Sequence, residues 1–77
     1  MKIKIIVTLK KGVLDPQGKA IQQTLNGMNF DKVSDVRQGK FFEIEVKEKN
    51  ETKAKSLVED MCKKLLANLV IEDYKIV

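Results

Sequence analysis

The chain has 77 residues, enough for one domain spanning 1–77, and its 43% hydrophobic and 34% charged residues are the balance of a soluble globular fold, not of a disordered chain. It holds no histidine and one cysteine, Cys62, which excludes an internal disulfide, a His-based metal centre and the usual base–nucleophile pairs of hydrolytic sites. The net charge is +4: residues 1–40 carry eight basic and three acidic groups (+5), residues 41–77 seven basic and eight acidic (−1).

Lys2 to Lys10 alternates as a strand, with Ile3, Ile5, Val7 and Leu9 on one face and Lys4, Ile6, Thr8 and Lys10 on the other. Lys10–Leu14 leads out as a loop. Asp15 is an N-cap and Pro16 fits the first helical position, where its missing donor costs nothing. Ile21, Leu25 and Met28 then form an apolar helical stripe that belongs on a core, while Lys19, Gln22, Gln23 and Asn26 face water. Asn26-Gly27 ends the helix, with Gly27 in the left-handed position and Phe30 anchoring the return in the core.

Residues 32–47 read as a β-hairpin. Val33–Arg37 pairs with Lys40–Val46 across a Gln38-Gly39 turn. Val33 and Val36 are three apart, which asks for a bulge. Ala54, Leu57, Val58, Met61, Cys62, Leu65 and Leu66 repeat at helical spacing behind an Asn50 N-cap, and Asn68 closes that helix. Val70–Val77 is a final, β-branched strand.

The order β-α-β-β-α-β specifies an α+β two-layer sandwich, with a four-stranded, mainly antiparallel sheet carrying both helices on one face. The other sheet face carries Lys4, Ile6, Thr8, Phe41, Glu43 and Glu45. That mixture suits self-association, so a homodimer or higher homo-oligomer built on this face is expected. Glu43, Glu45 and Asp35 balance Lys2, Lys4 and Arg37 across strands and form no acid–base pair. The same acids repel phosphate, which argues against nucleic acid. Cys62 lies on an apolar stripe as a small buried hydrophobe. Gly12 and Gly18 flank the helix start without the spacing of a phosphate loop. No apolar run approaches the ~20 residues of a membrane span and no signal-peptide core is present, so a cytoplasmic protein with no membrane contact is expected.

Three segments resemble one family. They are Val7–Ile21, with its Leu14-Asp15-Pro16-Gln17-Gly18 run, Val33–Lys40, with Asp35-Val36-Arg37-Gln38-Gly39-Lys40, and Met61–Asn68 followed by Val70–Tyr74. Together they resemble the small PurS-type subunits of phosphoribosylformylglycinamidine synthase over essentially the whole chain. The resemblance implies a non-catalytic subunit of an ATP-dependent carbon–nitrogen ligase of purine biosynthesis. In that assembly a glutaminase subunit releases ammonia and a large synthetase subunit, using ATP and Mg, amidates formylglycinamide ribonucleotide. This chain then carries no catalytic residue, cofactor or metal. It forms dimers and bridges the two larger subunits.

The expected partner surface joins Lys10, Lys11, Gly12, Val13, Leu14, Asp15, Pro16, Gln17 and Gly18 with Asp35, Arg37, Gly39 and Lys40. Glycines would allow close approach, Asp15 and Pro16 would set the loop's exit angle, and Arg37 and Lys40 would supply charge. The alternative is a stand-alone regulatory domain of ferredoxin-like topology binding a small effector at the same loop.

Overall fold

The computed structural model describes all 77 residues. Its elements are β1 (Lys2–Leu9), α1 (Pro16–Gly27), β2 (Gly39–Glu45), α2 (Glu51–Met61), a π-helical turn (Cys62–Leu66) and β3 (Glu72–Ile76). Three antiparallel strands form one sheet in the order β2-β1-β3. Ile3 faces Ile44 and Ile5 faces Phe42 on one side, while Ile5 meets Ile76 and Val7 meets Tyr74 on the other. The alternation read in the first strand therefore sets which sheet face is buried.

That face is covered by α2 alone. Ala54, Val58 and Cys62, spaced by four, pack with Ile3, Ile5, Val7, Val46 and Ala67 into the core. Asn50 caps α2 as expected, its side chain accepting from the Lys53 N–H at 3.1 Å. The helix does not continue as α to Leu66. The Ala67 N–H bonds back to the Cys62 carbonyl at 3.0 Å, five residues earlier. This wider turn carries one extra residue, which rotates Leu65 out to 83% exposure and brings Ala67 into the core. Leu57 is also exposed, so the buried stripe is narrower than its spacing implied.

The principal correction concerns Val33–Arg37. It forms no strand ladder, so the sheet has three strands where four were expected. There is no turn or bend at Gln38-Gly39; the chain runs on into β2. As a consequence α1 does not lie on the sheet. It makes almost no contact with the strands, and of its residues only Gly18 is buried. Ile21 and Met28 are exposed, and Phe30 is exposed instead of anchored in the core. α1 and its return segment form an arm. The molecule is 49 × 23 × 14 Å with a radius of gyration of 15.9 Å, against about 11.5 Å for a compact chain of this length.

The arm's tip is closed by a Schellman motif. The Phe30 N–H reaches the Leu25 carbonyl at 3.0 Å and the Asn29 N–H reaches Asn26 at 3.2 Å. The left-handed residue is Asn29 (φ 72°), not Gly27, which is the last helical residue. The final strand begins at Glu72, later than the expected Val70, because the Asn68 side chain turns the chain by accepting from the Val70 N–H at 3.1 Å.

Ile5→Ala removes a fully buried side chain and is expected to cost about 2–5 kcal/mol in urea unfolding, whereas Leu65→Ala stays within about 0.5 kcal/mol. Equal losses would contradict this placement of the core.

Candidate partner-binding site at the root of the arm

The two motif loops, distant in sequence, meet where the arm leaves the sheet. Asp15 joins them. Its Oδ1 accepts from the Gly18 N–H at 2.9 Å, the N-cap bond of α1, and its Oδ2 accepts from the Gln38 N–H at 2.8 Å. One carboxylate thus starts a helix and grips the return segment. The Gln38 N–H, then the Gly18 N–H, with help from the Arg37 charge, hold the Asp15 carboxyl below the ordinary carboxylate range against an opposing effect of burial.

Arg37 completes the clasp from the other side. Its Nη2 donates to the Leu9 carbonyl at 2.7 Å and the Lys10 carbonyl at 3.2 Å, tying the return segment to the end of β1. Gly18 is required by contact: a Cβ there would drive into the Val36 carbonyl oxygen. The surface that closes on Gly18 is the chain's own return segment. Gly39 sits under a similar constraint, since a Cβ would lie 2.5 Å from the Val7 carbonyl oxygen. Gly12 has φ +86° and open space around it, so its role is conformational.

Gln22 and Asn26 extend the clasp along α1. Gln22 Nε2 donates to the Ser34 carbonyl at 3.1 Å, and Asn26 Nδ2 donates to Phe30 at 3.0 Å and Val33 at 3.1 Å. Both were expected to face water; they are half-buried against the return segment. Asp15, Gly18, Gln22 and Asn26 share one helical face, at i, i+3, i+7 and i+11. That spacing of short-range polar groups was the signal that the sequence reading passed over.

The remaining predicted residues form the exposed rim. Lys11, Leu14, Pro16, Gln17, Asp35 and Lys40 are open to solvent, and Val13 is half-buried. Lys10 Nζ lies 3.4 Å from Asp73, and Lys40 Nζ lies 3.8 Å from Glu72, so β3 contributes acids to the same end of the sheet. Glu72 also accepts from the Asn68 N–H at 2.7 Å. Away from this region, Cys62 is buried, and desolvation, with the Glu59 charge, pushes its thiol pKa up. No group of three His, Cys, Asp or Glu side chains is arranged to hold a metal. No helix is long and apolar enough to cross a membrane. The arrangement offers backbone edges, small residues and charges for contact, and no activated nucleophile or proton-transfer pair.

Residues 2–77 match the family profile PurS, described as phosphoribosylformylglycinamidine (FGAM) synthase. The chain is 51% identical over 74 residues to the phosphoribosylformylglycinamidine synthase subunit PurS of Bacillus subtilis, covering 96% of this chain and 87% of that one. It is similar to the crystal structure of Methanocaldococcus jannaschii PurS, one of the subunits of formylglycinamide ribonucleotide amidotransferase, with a TM-score of 0.88, 51% identity and coverage of 99% and 92%. It is also similar to a chain in the structure of PurLQS from Thermotoga maritima, with a TM-score of 0.87, 32% identity and coverage of 100% and 96%.

Gly18→Ala forces the helix start away from Val36 and is expected to lower Tm by several degrees. Gly27→Ala meets nothing within 4 Å and leaves Tm unchanged or higher. The Asp15 clasp also has a pH signature. Its folded carboxyl pKa lies below the ordinary 3.8, so its stabilisation is complete above that value and is lost as pH falls through the lowered one. Tm of Asp15→Asn should therefore trail that of the native chain at pH 5–7, with the gap closing in acid. A gap that stays constant with pH would remove the carboxylate from this role.

Proposed function

The chain belongs to the PurS family of phosphoribosylformylglycinamidine synthase, and from that premise we propose that its arm root is a docking surface through which it bridges the complex's glutaminase and synthetase subunits. As a subunit of this ligase complex of purine biosynthesis it is itself non-catalytic. The observation that carries the bridging reading is the arm. A chain of 77 residues that holds a helix and a charged, glycine-lined root clear of its own core presents two surfaces at once. The composition agrees, since a chain with no histidine and a buried thiol leaves chemistry to other subunits.

In this reading the larger subunits supply ammonia release and ATP- and Mg-dependent amidation, and no cofactor resides on this chain. Lys11, Gly12 and Leu14 on the outer side of the loop, with Asp35 and Lys40, are the contact rim. Asp15, Gly18 and Arg37 act beneath it by holding the loop's shape. A second copy of the chain is part of the assembly, and the mixed open sheet face around Ile6 and Phe41 is available for higher association. The protein works in the cytoplasm and binds neither nucleic acid nor membrane. A stand-alone effector-binding domain is not favoured, because relatives matching nearly the whole chain are synthase subunits.

The test is co-purification of this chain with the glutaminase and synthetase subunits in the presence of glutamine and Mg-ATP. The native chain should be retained. Lys11→Glu, which places the wrong charge on an exposed residue with no intramolecular bond, should weaken retention roughly tenfold with Tm unchanged. Full retention of that variant would take Lys11 out of the rim, and no retention of the native chain would end the bridging reading.

A further inference from the structure

We infer that the cavity between the loop after β1 and the return segment binds a small acidic α-amino acid, and that glutamate is the member of that class it meets. The inference deepens the docking reading and rests on it only for the source of the ligand.

The cavity measures about 540 Å³ and is lined by Thr8, Leu9, Lys11, Gly12, Asp35 and Arg37. That is the size of a small-molecule site. Leu9 is its only large apolar wall, so charge and hydrogen bonding select the occupant. Both signs of charge border the same space, yet none of the chain's ion pairs uses Lys11, Asp35 or Arg37.

The clasp is what keeps these charges apart. Arg37 spends Nη2 on the Leu9 and Lys10 carbonyls, which fixes the guanidinium against the end of β1, out of ion-pair reach of Asp35. Its Nε and Nη1 groups keep their donors free. Lys11 stands on the opposite wall, in a turn closed by the Val13 N–H on the Lys10 carbonyl at 3.1 Å with Gly12 at φ 86°. The result is two cations and one carboxylate held around a gap.

The signs decide the class of ligand. Phosphate or a plain dicarboxylate would suit Lys11 and Arg37 but would bring a further anion against Asp35. A plain amine would suit Asp35 alone. An acidic α-amino acid matches all three, with its two carboxylates on Lys11 and Arg37 and its ammonium on Asp35. An adjoining cavity of about 300 Å³ shares Gly12, Asp35 and Arg37 and adds Asp15 and Lys19. Across both, Lys11, Lys19 and Arg37 against Asp15 and Asp35 leave a net +1, the complement of the ligand's net −1. In the proposed assembly, glutamine and water give glutamate and ammonia. The ammonia is consumed, and glutamate is left beside a chain whose docking rim carries Lys11 and Asp35. Pairs between exposed charges are weak singly, so three of them imply a dissociation constant on the order of 1–10 mM.

The test is a titration of the full chain, followed by amide proton–nitrogen spectra at constant ionic strength. Glutamate, taken to about 50 mM, should shift the Lys11, Gly12, Asp35 and Arg37 amides saturably and leave Asn29 and Phe30 at the arm's tip unmoved. Glutarate, which has both carboxylates and no ammonium, and inorganic phosphate should each bind at least about fivefold more weakly. Asp35→Asn should cut glutamate affinity about tenfold without weakening glutarate, and Lys11→Gln should weaken both. Asp35 and Lys11 are exposed, and native amide dispersion shows that each variant is folded. No saturable shift at the root, glutarate or phosphate binding as tightly as glutamate, or undiminished glutamate affinity in Asp35→Asn would each overturn the inference. None of these outcomes depends on the larger subunits, so the bridging reading stands or falls separately.

Discussion

One carboxylate governs the shape of this molecule. Asp15 accepts from the Gly18 N–H at the start of α1 and from the Gln38 N–H at the start of β2. Serving both ends of the excursion with one side chain fixes where the arm leaves and where it returns. Gly18 can then lie against Val36, Arg37 can reach the Leu9 and Lys10 carbonyls, and Gln22 and Asn26 can hold the rest of the return segment. Because the clasp is made of backbone bonds to one charged group, it keeps the chain straight where a hairpin would bend.

Three signals that rest on near neighbours are found as expected. The alternation of Ile3, Ile5 and Val7, the Asp15-Pro16 helix start and the Asn50 cap each rest on neighbours within a few residues, and each is found. The corrections that change the shape of the molecule arise where a distant group decides. Gln38-Gly39 has turn composition, but the Gln38 N–H is taken by a carboxylate 23 positions earlier. The Ile21–Leu25–Met28 stripe has core periodicity, but the straight return segment carries it off the sheet. Leu65 fails for a local reason: it fits a seven-residue apolar pattern, but the π-helical turn at Cys62 rotates it outward. At the candidate site, the residues of both motif loops were named; that they bind one another first was hidden, since no spacing rule links positions 15 and 38.

The motif residues therefore do two jobs that the sequence merges. Asp15, Gly18 and Arg37 build the root of the arm, and Lys11, Gly12, Leu14 and Asp35 are what that root displays. A small chain of a multi-subunit synthase has little core from which to build a rigid surface. Anchoring a protruding helix with a few charge-assisted backbone bonds gives it reach at low mass. The chain has no histidine, and its one thiol, Cys62, is buried in the core rather than displayed at the root.

The central claim is that the arm stands away from its own sheet. Its most direct test is the distance between spin labels on Asp31, at the arm's tip, and Lys2, at the far end of β1, in doubly labelled chains diluted with unlabelled ones. The account predicts a single long distance on the scale of the 49 Å axis of the molecule. A short distance, from an arm folded back over its own strands, would contradict it.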